Sequence, residues 1–189
     1  DDAAIYVAAK LTDQPSAVRK QLTARDGEQR QDVDYFSIFL DTYNDNQNGF
    51  QFLVTSRNVQ SDGRISPSVQ SQFGPPSDYG WDAVWESNVQ LTNNGWTVEM
   101  RIPYISLRFS KAEEQRWGIN FQRFSRGLNE SSYWNSIDPN EAGFVNQFGD
   151  LLGIRGIEPP LRLSFLPYIT TGIRNTPTAK GNVHELLRN

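Results

Sequence analysis

In the stretch "GWTVEMRIP", Trp96, Val98, Met100 and Ile102 fall on one side of an extended chain and Thr97, Glu99 and Arg101 on the other, because successive side chains of a strand alternate faces. The same period of two places Phe36, Ile38 and Leu40 of "DYFSIFLD" together, then Phe50, Phe52 and Val54 of "GFQFLVTS", then Trp117, Ile119 and Phe121 of "RWGINFQRF". Each reads as a strand with one face buried and one wet. Turn pairs separate them at Asn48-Gly49, Asp62-Gly63, Pro75-Pro76 and Asn94-Gly95. "LTNNGWTV" predicts a hairpin joining Val84–Leu91 to Trp96–Ile102. Helix is confined to one turn opening at Pro103 in "PYISLRF", with Ser110–Gln115 either a second turn or a loop. The pattern predicts an all-β chain, an antiparallel β-sandwich with one or two short helical turns.

Composition narrows the chemistry. The 189 residues fit one domain with some excess, and 12% of them are aromatic, which suits short strands packed face to face. A net charge of −4 without a basic run gives a nucleic-acid groove no electrostatic support. With no cysteine, disulfides, thiolate metal sites and cysteine nucleophiles are excluded. The single histidine, His184, lies in an aperiodic tail, so a histidine-based triad or metal site is not expected. No stretch approaches the ~18 apolar residues of a membrane helix. The carboxylate pairs Asp32/Asp34, Asp41/Asp45 and Glu113/Glu114 read as solvated loops and caps. A glycosidase needs two carboxylates opposed across a cleft, which adjacency in sequence does not supply. The expectation is a protein that is not an enzyme.

The chain opens on "DDAAIYVAAKL" without an initiator Met or a signal-peptide pattern, which reads as part of something longer. Ser66–Gly80 reads as a surface-exposed loop, "FGDLLGIRGI" as a closing strand and Glu158–Pro160 as a linker. Residues 1–157 are therefore expected to form the sandwich and 158–189 a linker with the start of a second β region, since Leu161, Leu163 and Phe165 alternate with Arg162 and Ser164.

Three groups of residues are candidates for binding. On an extended chain Trp81 and Trp85 stand about 13 Å apart, too far to clamp one sugar ring. Trp85 shares its face with Val89 and Leu91 and is assigned to the core, while Trp81 at the strand's start is a rim candidate and Trp134 in "SSYWNSIDPN" is left open. Asn120 and Gln122 share the polar side of "GINFQRF", where side-chain amides can bridge paired sugar hydroxyls or simply wet a sheet face. "DTYNDNQNGF" partly imitates a calcium loop, but Asn44 stands at its first position and Thr55 at its twelfth. Asp41, Asp45 and Asn48 are the candidates for Ca2+ there, against the simpler reading of a hairpin loop.

The order "DDAAIYVAAKLTD", "DYFSIFLD", "GWTVEMRIPYISL", "WGINFQR", "QFGDLLGI" resembles the family-nine carbohydrate-binding modules, sandwiches of jelly-roll or DOMON-like type. "WDAVWES", "QSDG", "LRFSKAEEQRWGINFQR" and "RLSFLPYI" resemble the subgroup that precedes an outer-membrane β-barrel domain of unknown function. The resemblance implies a non-catalytic glycan-binding module in which Asn120 and Gln122 match polar positions of the family; together with the residue reading, the expected contact surface is Asn120, Gln122, Trp81 and Trp134. The resemblance also implies a C-terminal membrane β-barrel as partner and a place in the periplasm or at the cell surface of a Gram-negative bacterium. The alternative is a structural or protein-interaction domain that has kept the sandwich and lost the sugar. The family's two clamp positions fall near Gln31 and Ala142, neither aromatic, with Tyr35 or Phe144 as the nearby substitutes.

Overall fold

A computed structural model describes residues 2–27, 32–69, 74–160 and 167–171. Among them run β1 (Ala4–Thr12), β2 (Tyr35–Asp41), β3 (Gly49–Thr55), β4 (Gln60–Ile65), β5 (Ser77–Asp78), β6 (Glu86–Thr92), β7 (Gly95–Pro103), β8 (Glu114–Ser125), β9 (Glu130–Tyr133) and β10 (Gly149–Arg155). Two single 3-10 turns, Tyr104–Ser106 and Val145–Gln147, interrupt the strands. The first follows Pro103, as expected; Ser110–Glu113 is a loop. One sheet has the order β1-β7-β6 and the other β10-β8-β2-β3-β4-β5, with β9 also paired to β8. Every ladder between these strands is antiparallel. The predicted antiparallel sandwich is the fold of the chain.

The core lies between the sheets and uses the faces that the alternation defines. Trp96, Val98, Met100 and Ile102 of β7 pack with Phe36, Ile38 and Leu40 of β2, Phe50, Phe52 and Val54 of β3, and Trp117 and Ile119 of β8. The 3-10 turn after β7 adds Tyr104, whose ring meets Phe109 and Trp117 edge-on. The hairpin also forms as expected, Leu91 pairing with Trp96 across Asn93-Asn94.

Four expectations change. The second face of the larger sheet is buried rather than wet: all of β2 and β3 is out of solvent. A second cluster of Phe39, Ile65 and Val145, packed with Tyr133, Phe144 and Phe148, covers part of it, and a sheet covered on both faces buries both sets of side chains. Asp62-Gly63 is no turn but the middle of β4, where a Cβ on residue 63 would lie 3.1 Å from Cβ of Ser77. That close approach lets Ser77–Asp78 join the edge of β4 as β5, inside the segment expected to be a surface loop. β6 starts only at Glu86, leaving Trp81–Trp85 irregular. Toward the C-terminus the core extends to Ile157. Most of the alternating run Leu161–Ile173, and Arg174–Asn189 with His184, lie outside the described residues.

Candidate functional site

The outer face of the larger sheet carries a row of polar side chains in register. Ser37 of β2 stands opposite Gln122 of β8, and Phe39 stands between Asn120 of β8 and Gln51 of β3. Gln51 Nε2 donates to Ser37 Oγ at 3.2 Å, and its Oε1 accepts from the hydroxyls of Ser77 and Tyr79. Asn120 and Gln122, expected on an exposed surface, are 0% and 1% exposed. Gln122 Nε2 donates to Ser131 Oγ at 2.9 Å, while its Oε1 is buried without a hydrogen-bond partner. Asn120 uses both ends of its amide: Oδ1 accepts from the main-chain N–H of Phe121 and of Asn135, each at 2.9 Å, and Nδ2 donates to the Asn135 carbonyl at 2.9 Å. Gln122 therefore ties β9 itself, and Asn120 the segment just after it, to the sheet instead of facing solvent.

That segment carries Trp134. Its N–H donates to the Phe121 carbonyl at 3.0 Å, continuing the β8–β9 ladder by one bond. The indole meets the Phe121 ring edge-on, centroids 6.0 Å apart, and rests on Gly149, where a Cβ would come within 2.7 Å of Cζ3. Trp134 is nevertheless 64% exposed. The loop beyond it is tied by Gln147, whose Nε2 donates to the carbonyls of Asp138 and Gly143 and whose Oε1 accepts from Asp138 N–H at 2.7 Å. Asn135 Nδ2 closes the loop on the Gln147 carbonyl at 2.6 Å. Burial pushes the Tyr133 phenol up to about 12, and its ring packs toward Phe39 and Phe144 beneath this loop. From Gly127 to Asp150 the chain has four carboxylates and no Lys, Arg or His. Ser131, Asn135, Gln147 and Gly149 escaped sequence reasoning. Only Gly149 left a signal, a glycine opening a strand where another group comes close.

The other three tryptophans expected to be core are core: Trp85, Trp96 and Trp117 are all buried. Trp81 differs from expectation. It is half-buried, with its ring 5.0 Å from Phe50 and 5.9 Å from Phe52, so it seals the sandwich and does not stand free at a rim. Tyr35 is buried and stacked on Phe124, centroids 4.8 Å apart, and offers no free face. Phe144 packs edge-on against Phe39 and Phe148, and its remaining surface lines an apolar groove of about 390 Å³ with Ile65, Val145 and Pro76, bordered by Asn46 and Gln47. Trp81, Trp134 and the Asn120–Gln122 pair are thus not one surface.

Asp41, Asp45 and Asn48 are brought together, but as a turn. Asp41 is buried and its carboxylate accepts from the N–H of Asp45 and Asn46. Asp45 accepts from the N–H of Gln47 and Asn48 and from Asn48 Nδ2. These bonds close the β2–β3 connection by the usual Asx logic. The carboxylate oxygens of Asp41 and Asp45 all accept hydrogen bonds within the turn, and among the described residues no three His, Cys, Asp or Glu gather into a metal-binding group. The arrangement does not fit the expected ion.

A search of curated protein sequences gives no match. Among solved structures, a carbohydrate-binding module of family 9 from Caldicellulosiruptor kristjanssonii in complex with cellotriose is 19% identical, with a TM-score of 0.54 over 90% of this chain and 77% of that one. The same module in complex with glucose is also 19% identical, with a TM-score of 0.54 over 87% and 75%. At this identity the likeness is one of fold. The family is shown by sequence: the model of the carbohydrate family 9 binding domain-like family matches residues 1–152, and the chain belongs to that family.

Proposed function

We propose that this chain is a non-catalytic glycan-binding module whose contact surface is the exposed indole of Trp134. Membership of a carbohydrate-binding family supports the class, and two fold neighbours are complexes with cellotriose and glucose. The observation that carries the reading is the exposure of Trp134 at 64%, over a glycine that leaves the ring a flat seat. A large indole left open in this way offers an apolar face to the C–H face of a sugar. Glu130, Asp138 and Glu141 leave the segment Gly127–Asp150 negative, while Asp150 is balanced by Arg116, which favours a neutral sugar over an acidic one. One stacking contact with few exposed hydrogen bonds gives modest affinity.

The module is further proposed to belong to a larger protein of the Gram-negative outer membrane, on the periplasmic or outer side. The support is the subgroup resemblance of "WDAVWES" and "RLSFLPYI" and the alternation of Leu161–Ile173, a pattern that suits a barrel strand.

One observation favours a second reading, a sandwich that has turned from sugar to a structural or docking role. The amides of Asn120 and Gln122 are buried and bonded inward. Affinity electrophoresis against neutral polysaccharides separates the two. Retardation by a β-glucan or xylan, lost in Trp134→Ala and kept in Tyr6→Ala, is expected of a glycan-binding module. No retardation by any neutral polysaccharide, with the fold intact, overturns the glycan reading and favours the second.

A further inference from the structure

We infer that Asn120 is a positioning residue, one that builds the Trp134 platform without touching the glycan. This rests on the proposed stacking role of Trp134. β9 is a four-residue edge strand ending at Tyr133, and the last main-chain bond of its ladder is Trp134 N–H to the Phe121 carbonyl. An edge strand this short frays at its end. The Asn120 side chain supplies the next rung: its amide donates to the Asn135 carbonyl and accepts from the Asn135 N–H, as a strand peptide would. Trp134 is then held on both sides, by Phe121 before it and Asn120 after it.

The floor under the indole belongs to the same ring of contacts. Asn135 Nδ2 donates to the Gln147 carbonyl, two residues before Gly149, and Gly149 pairs with Ile119, the neighbour of Asn120. Chain, clasp and seat close on one another around the Trp134 ring. Only asparagine fits the place. Aspartate keeps the two accepted bonds but turns an oxygen toward the Asn135 carbonyl, and alanine keeps none. A platform fixed before the ligand arrives avoids an ordering cost on binding.

The test uses protein labelled with 5-fluorotryptophan, giving one ¹⁹F resonance for each of the five tryptophans, with Trp134→Phe assigning that of Trp134. In Asn120→Ala, the Trp134 resonance is expected to shift and broaden while those of Trp96 and Trp117 stay, and cellotriose is expected to bind roughly 2- to 12-fold more weakly. Asn120→Asp, nearly isosteric and keeping the two accepted bonds while setting an oxygen against the Asn135 carbonyl, is expected to show a change of the same kind, with unmoved Trp96 and Trp117 resonances reporting an intact fold. An unchanged Trp134 resonance in the Asp variant and in any folded Ala variant overturns the positioning role. If the wild type binds no glycan while the resonance still moves, positioning is supported and the glycan-binding reading falls. A moved resonance with wild-type affinity supports positioning and overturns the stacking role of Trp134.

Discussion

The indole of Trp134 occupies the space that a side chain at residue 149 would need: a Cβ there would lie 2.7 Å from Cζ3 and 3.2 Å from Cη2. Gly149 is therefore part of the platform although it contributes no side chain. Any substitution there lifts the ring while sparing the sandwich core, since the residue lies at the start of the edge strand β10.

Gly149→Val is expected to displace Trp134 and weaken glycan binding by about the worth of one stacking contact, roughly 2- to 12-fold. The melting temperature should fall less than for a core truncation. Titration calorimetry and thermal melts of the two proteins check both expectations. Equal affinities would mean that the ring is not seated as described.

Two buried tryptophans predict unequal responses to the same change. Trp85 Nε1 donates to the buried carboxylate of Asp62 at 3.2 Å, whereas Trp96 Nε1 is buried without a hydrogen-bond partner. Both Trp→Phe changes remove a similar ring volume. Trp85→Phe also takes a donor from Asp62 and should cost about 1–3 kcal/mol more. Urea unfolding of the two variants gives the difference directly. A Trp96→Phe protein as damaged as Trp85→Phe would contradict the assignment.

Asp34 predicts a pH dependence. Burial pushes its carboxyl above the usual 3.8 against the smaller opposing pull of the Arg126 N–H on Oδ1, and Oδ2 is buried without a hydrogen-bond partner. The folded form thus holds the proton to higher pH than the unfolded one. This contribution to stability is complete below the unfolded value and is lost as pH rises through the raised one. Asp41 and Asp62 shift in the same direction, but Asp34→Asn leaves them in place. The stability of the Asp34→Asn protein relative to wild type should therefore improve as pH rises from below the usual 3.8 through the raised value. Parallel curves would show that Asp34 titrates normally.

The inner faces were legible because their side chains are apolar at period two: Trp96 through Ile102, Phe36 through Leu40 and Phe50 through Val54 all enter the core. The outer face of the larger sheet was misjudged for a physical reason. Ser37, Gln51, Asn120 and Gln122 look like a wet face, yet polarity records that a side chain needs a partner, not that the partner is water. Ser131 and Tyr133 come from β9, a strand of only four residues and too short to show a period, and Asn135 and Phe144 from the loop after it, which has none. Asp62-Gly63 misled similarly, since a glycine that admits a neighbouring strand has the same letters as one that turns a chain. Trp134 could not be placed because it lies just past the end of β9, where alternation stops.

In the proposed function a neutral glycan lies against Trp134. The direct measurement is the ¹H–¹⁵N spectrum of the indole N–H groups, five in number, during titration with cellotriose, with the Trp134 peak assigned by its loss in Trp134→Phe. This peak is expected to move saturably while those of Trp96 and Trp117 stay still. Movement at Trp81 alone, or saturable binding with the Trp134 peak unmoved, would contradict the proposal.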